Sequence, residues 1–148
     1  MLLELLEDKI QLIPQAVDWR EAIRISAKPL LEAGSIEERY VSAMIQMCEK
    51  HNAYIVLADF FAMPHASPDS GVNKADVALT IIEEPVDFLG SPVHVLLTLA
   101  STASDSHILM LQEVGELMGD DERIRTLISL KTTEDVADFI QRTMKKNS

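Results

Sequence analysis

The chain is short of cysteine, of basic residues and of long apolar runs, and each shortage removes a class of function. Its one cysteine, Cys48, cannot close an internal disulfide and leaves no CxxC pair for a metal, as expected in a reducing cytosol. Only 13 Lys and Arg stand against 24 Asp and Glu, a formal net charge of -11. That charge repels a phosphate backbone, and the one basic cluster is Lys145-Lys146, so nucleic acid is not an expected partner. An acidic surface instead suits a basic protein. No uncharged apolar stretch approaches the roughly 18 residues of a membrane span. The start "MLLELLEDKIQL" carries Glu4, Glu7 and Asp8 with no basic flank, so it does not read as a signal peptide. The expectation is a cytoplasmic protein.

What is present describes a folded domain. At 148 residues, 47% apolar and 25% charged, the chain can bury one core, and 1–148 reads as a single domain. Glu4 to Asp8 ends a short helix, and "IQLIPQAV" (Ile10 to Val17) alternates like an edge strand interrupted by Pro14. Asp18 and Glu21 have capping-box spacing before a helix that runs to Gly34, with Pro29 expected to kink or split it. Ser35 and Glu38 repeat that spacing before a helix ending near His51-Asn52. "AYIVLADFFAM" (Ala53 to Met63), "ADVALTII" (Ala75 to Ile82) and "VHVLLTLA" (Val93 to Ala100) read as buried strands, the first as one or two. "EEPVDFLGSP" carries turn residues at both ends. "SDSHILMLQEVGELM", "DERIRTLISL" and "TTEDVADFIQRTM" read as helices, the last with Thr132 and Asp135 at capping spacing. Helices before, between and after these strands predict a three-layer α/β/α sandwich whose mixed, mostly five-stranded sheet is covered on both faces.

Within "FFAMPHASPDSGV", His65 follows a strand end and is stiffened by Pro64, whose φ is locked. A lone Pro-His is more often a turn residue than a functional one. Support comes from His107, in the first turn of a helix that follows a strand, because a helix start offers free N–H groups and the positive end of the dipole to an anion. The pair suits phosphate. The plainer reading of His107 is a residue tolerated at a helix start capped by Ser104 or Asp105. His94 reads as a packed strand residue, and His51 as a helix C-terminal cation site. Three histidines with Asp76 or Asp105 could form a zinc site, but no HxH or HExxH pair supports it, and no metal or cofactor is expected. Ser67 and Ser70 lie in a turn without a nucleophile elbow.

"LADFFAMPHASPDSGVNKADVALTIIEEPVDF" resembles the active-site segment of enzyme IIA (EIIA) components of the phosphoenolpyruvate-dependent sugar phosphotransferase system (PTS). The likeness is to the mannitol/fructose type and more closely to its ascorbate-like branch. The shared parts are Ala62-Met63-Pro64-His65, the strands Ala75 to Ile82 and Val93 to Ala100, and the helix opening at His107. The early Glu21-Ala22-Ile23 helix and the Tyr40…Ala43-Met44 helix extend the likeness along the chain. The resemblance implies a phosphotransferase: His65 accepts a phosphoryl group from the phosphohistidine of HPr and passes it to a IIB component, while the membrane IIC component imports the sugar. It implies that His107 hydrogen-bonds the phosphoryl oxygens. It also leaves a regulatory module, in which phosphorylation is a signal, as the alternative. Mannitol and fructose relatives carry an Arg-Glu pair before the motif, where this chain reads "MIQMCEKHNAY": Glu49 is kept, no arginine precedes it, and the neighbouring Lys50 offers no bidentate fork. Phe60, Phe61 and Met63 are candidate contacts for partners, with core packing the plainer role for at least two of them.

Overall fold

The computed structural model describes residues 2–102 and 106–146, without the side chains of 106–109 and 145–146. The elements run α1 (Leu2–Leu6), β1 (Ile10–Ile13), α2 (Trp19–Glu32), α3 (Glu38–His51), β2 (Val56–Ala58), β3 (Phe60–Ala62), β4 (Asp76–Phe88), β5 (Ser91–Ala100), α4 (Ser106–Met118), α5 (Asp121–Ser129) and α6 (Thr133–Lys146), with a 3-10 turn at Pro68–Ser70. The strands form one sheet in the order β1-β4-β5-β3-β2. β1 pairs β4 and β3 pairs β5 in parallel, whereas β4 with β5 and β2 with β3 are antiparallel. The expected mixed sheet of five strands is present.

Period-two alternation on the central strands divides the core. Val77, Leu79 and Ile81 of β4 and Val95, Leu97 and Leu99 of β5 pack with residues of α1, α4, α5 and α6. Ala78, Ile82, Leu96 and Ala100, from the opposite face, pack with α2 and α3. Both faces are therefore apolar, as strands covered on two sides must be. Asp76, Thr80 and Thr98 are buried polar residues on these strands. Thr98 Oγ1 donates to Ser26 Oγ at 2.7 Å, and Ser26 Oγ to the Ile23 carbonyl at 2.8 Å, so the hydroxyls are satisfied inside the core.

Several local expectations hold for the reason given. The Asp18 carboxylate accepts from the Glu21 N–H at 2.9 Å, and Thr132 Oγ1 from the Asp135 N–H at 3.0 Å. Helix α3 ends at Asn52, whose left-handed conformation (φ 53°) closes it. Others fail. Pro29 does not split α2, because the carbonyl it leaves without an amide partner, that of Ile25, accepts from Gln11 Nε2 at 2.9 Å. The same amide nitrogen donates to Thr80 Oγ1 at 3.0 Å. Ser35 does not cap α3. The cap position is Glu37, and Ser35 Oγ donates to Asp76 Oδ2 at 2.5 Å, since a carboxylate only 2% exposed needs partners. Lys9 Nζ lies 3.5 Å from the other oxygen of Asp76.

Strand ends differ as well. β1 stops at Ile13, before Pro14. β4 continues past Ile82 to Phe88, because its ladder with β5 shifts register between Ile81 and Val86 and so accommodates Pro85. The real turn is Leu89-Gly90, both at positive φ (53° and 108°). "AYIVLADFFAM" makes two short strands joined through Asp59. No helix of the described residues is long and apolar enough to cross a membrane.

Two outcomes follow. Replacing Gln11 with Leu deprives the Ile25 carbonyl and the Thr80 hydroxyl of a partner, and is expected to cost about 1–3 kcal/mol in urea unfolding with an unchanged slope. Cys48 is fully buried, and desolvation, with a smaller contribution from the Glu49 charge, pushes its thiol up to about 11. At pH 8 the native protein should therefore react with iodoacetamide at least ~100-fold more slowly than the unfolded chain.

Candidate functional site

The site grows from the parallel pairing of β3 with β5. The ladder sets Phe61 opposite Val95 and Ala62 opposite Leu96, and it extends one step past the strand, where the Leu99 N–H donates to the Pro64 carbonyl at 2.9 Å. On the other side the Met63 N–H donates to the Ile55 carbonyl at 2.9 Å. His65 is the next residue, half-buried, on a backbone held from both flanks.

Its imidazole is oriented too. Nδ1 lies 2.6 Å from the carbonyl oxygen of Met63. A carbonyl can only accept, so this contact assigns the proton to Nδ1 and leaves the lone pair on Nε2. The peptide group after the histidine is gripped at both ends. The Tyr54 hydroxyl donates to the His65 carbonyl at 2.5 Å, and the Ala66 N–H donates to the Tyr40 hydroxyl at 3.0 Å. Tyr40 in turn donates to the Leu99 carbonyl at 2.7 Å, tying the loop back to β5. Burial raises the Tyr40 phenol, and pushes that of Tyr54 up to about 12, with smaller contributions there from Cys48 and Tyr40. Both hydroxyls therefore keep their protons at neutral pH.

The polar loop after His65 is pinned to the start of α3. The Glu37 N–H donates to the Gly71 carbonyl at 2.9 Å, and Arg39 Nη1 to the Asp69 carbonyl at 3.0 Å. Gly71 has φ 124°, and a Cβ there would sit 3.0 Å from Arg39 Cγ and 3.3 Å from the Tyr40 nitrogen, so only glycine fits. Ser67 and Ser70 belong to this turn, with the Ser70 N–H on the Ser67 carbonyl at 2.9 Å.

His107 is the second residue of α4, the helix that follows β5; its side chain, like the whole of Ser104 and Asp105, lies outside the described residues. Because β3 and β5 are parallel neighbours, the segments leading to His65 and to α4 leave the sheet from the same edge, where open α/β sheets place ligands. The other histidines stand apart. His94 holds the Ile82 carbonyl through Nδ1 at 2.8 Å and meets the Phe60 ring edge-on at 5.5 Å. His51 is exposed at the end of α3, its ring 6.0 Å from that of Tyr54. Asp76 is engaged with Ser35 and Lys9, and no group of three His, Cys, Asp or Glu among the described residues could hold a metal. Glu49, the retained half of the expected Arg-Glu pair, meets Arg20 of α2 at 3.3 Å. Of the apolar residues beside the motif, Phe61 and Met63 are core, at 3% and 8% exposure.

Tyr40 and Tyr54 were not singled out as site residues from sequence. The available signal was a tyrosine in an apolar run, whose hydroxyl must find a partner when buried.

Comparison with known proteins identifies the family. The family model described as "Phosphoenolpyruvate-dependent sugar phosphotransferase system, EIIA 2" matches residues 4–143. The mannitol-specific cryptic phosphotransferase enzyme IIA component of Escherichia coli (strain K12) is 36% identical over 138 residues, covering 92% of this chain and 94% of that protein. The ascorbate-specific PTS system EIIA component of Shigella boydii serotype 4 is 36% identical over 142 residues, covering 90% of each. The solution structure of the mannitol-specific cryptic IIA CmtB from Escherichia coli superposes with a TM-score of 0.88 at 35% identity, covering 96% of this chain and 99% of that one. By its matched sequence and by its fold, the chain belongs to the EIIA 2 family of the phosphoenolpyruvate-dependent sugar phosphotransferase system, whose members are phosphotransferase components.

Proposed function

We propose that the whole chain acts as one cytoplasmic IIA phosphocarrier, in which Nε2 of His65 takes a phosphoryl group from the phosphohistidine of HPr and hands it to a IIB component during sugar uptake. The observation that carries this reading is the 2.6 Å contact of Nδ1 with the Met63 carbonyl. It leaves Nε2 as the nitrogen with a lone pair, and a neutral imidazole is a competent nucleophile near pH 7. In the transfer the Nε2–P bond forms as the donor's N–P bond breaks, and the bonding electrons return to the donor imidazole. Nδ1 keeps its proton. The ring gains positive character as Nε2 bonds phosphorus, and the Met63 carbonyl dipole stabilises it, much as a carboxylate does for the histidine of a catalytic triad.

The phosphoryl oxygens need positive partners, and without the arginine that mannitol and fructose relatives carry beside Glu49 those fall to the start of α4. The N-terminal end of a helix favours an anion through its dipole and backbone N–H groups, and His107 adds a donor there. Holding the reacting groups in line supplies most of such a catalyst's effect, because the protein has little covalent chemistry to perform. The net charge of -11 speeds encounter with a basic partner such as HPr.

The test is incubation with phosphoenolpyruvate, enzyme I and HPr. Wild type should gain one acid-labile phosphate and His65→Ala none; equal labelling of the variant refutes the assignment. His107→Ala should still be phosphorylated but pass the group to IIB about 10²-fold more slowly, and an unchanged rate would remove His107 from the site.

A further inference from the structure

We infer that Tyr54 is a positioning residue for transfer at His65, its hydroxyl fixing the His65 carbonyl and its ring edge walling the imidazole so that Nδ1 stays on Met63 and Nε2 stays free. The inference rests on the reading of His65 as the phosphorylated residue. The second torsion of a histidine is broad, with no deep wells to choose an orientation. One hydrogen bond from Nδ1, exchanged against hydrogen bonds to water, contributes too little alone to hold a half-exposed ring in one pose.

Tyr54 supplies the remaining constraints from a single side chain. Its ring stands 5.3 Å from the imidazole centroid at 73°, edge-on, and its hydroxyl reaches the carbonyl of the same residue at 2.5 Å. The backbone is bent to bring it there. Asn52 and Ala53 both take left-handed conformations, at φ 53° and 58°, between the end of α3 and Tyr54. Alanine, with its Cβ, is rarely found at positive φ, and such strain persists where it serves placement. Tyr40 differs, since it is fully buried and also bonds the Leu99 carbonyl, so its loss would unsettle the core. Tyr54 is half-buried, beside the imidazole.

The test uses the 15N-labelled full chain without phosphate. Imidazole 1H–15N spectra of His65 read the tautomer in wild type, Tyr54→Phe and Tyr54→Leu, with thermal unfolding as the check on folding. Wild type should show the Nδ1–H form alone. Tyr54→Leu should show a mixture of tautomers and accept phosphate from phospho-HPr about tenfold more slowly, through kcat with KM for HPr unchanged; Tyr54→Phe, which keeps the wall and loses the hydroxyl, should fall between. If Tyr54→Leu does not fold, Tyr54→Phe decides alone. A folded variant with the wild-type tautomer and rate overturns the inference, as does a rate lost only in proportion to unfolding. A wild type that accepts no phosphate would refute the reading of His65 instead, and the tautomer comparison would still decide whether Tyr54 orients the ring.

Discussion

The arrangement depends on the parallel pairing of β3 with β5. Two parallel neighbours end at the same edge of a sheet, so whatever follows each is delivered to one place. Here the Pro-His segment follows β3, and α4, which carries His107, follows β5. The hydrogen bond from Leu99 to the Pro64 carbonyl carries the ladder past the last paired strand residue and puts the histidine at the sheet's edge. Burial of alternating residues against two helical layers fixes the register, since a one-residue slip would turn every apolar side chain of a strand to the wrong face.

Around His65, the partners are the Met63 carbonyl on the ring and the Tyr54 and Tyr40 hydroxyls on the peptide that follows, none of them charged. That choice matters for the role proposed for His65, in which the imidazole accepts and releases a phosphoryl group. A carboxylate on Nδ1 would hold the ring more strongly, but it would add negative charge beside the incoming phosphoryl group. A carbonyl orients the ring and stabilises its positive character with a dipole only. The tyrosines, kept neutral by burial, add rigidity without charge. Positive charge for the phosphoryl group then has to come from outside this shell, which gives the start of α4 its proposed part.

Much of this was legible in the sequence where the governing interaction is local. Asp18 and Thr132 cap helices as their spacing indicated, Asp76 to Ile82 and Val93 to Ala100 lie in the buried strands β4 and β5, and Pro64-His65 lies at a strand end. The failures share one cause, a partner distant in the chain. Ser35 looked like a cap and bonds Asp76, 41 positions away. Pro29 was expected to kink or split its helix, and α2 runs on through it with Gln11 on the freed carbonyl. "EEPVDFLGSP" carried turn residues at both ends, yet its first half continues β4 through a register shift against β5. Tyr40 reaches Leu99 across 59 positions, and no local pattern announces that. The family resemblance supplied the functional reading of His65 and the partners; the residues alone supplied a stiffened histidine and a helix start suited to an anion.

The central claim is that the Met63 carbonyl, by holding Nδ1–H, directs the phosphoryl group to Nε2 of His65. The most direct measurement is 15N and 31P NMR of the phosphorylated, 15N-labelled chain, in which one-bond coupling identifies the nitrogen that carries phosphorus. The account predicts coupling to Nε2 of His65, with Nδ1 still protonated. Phosphorus on Nδ1, or on any other residue, would contradict it.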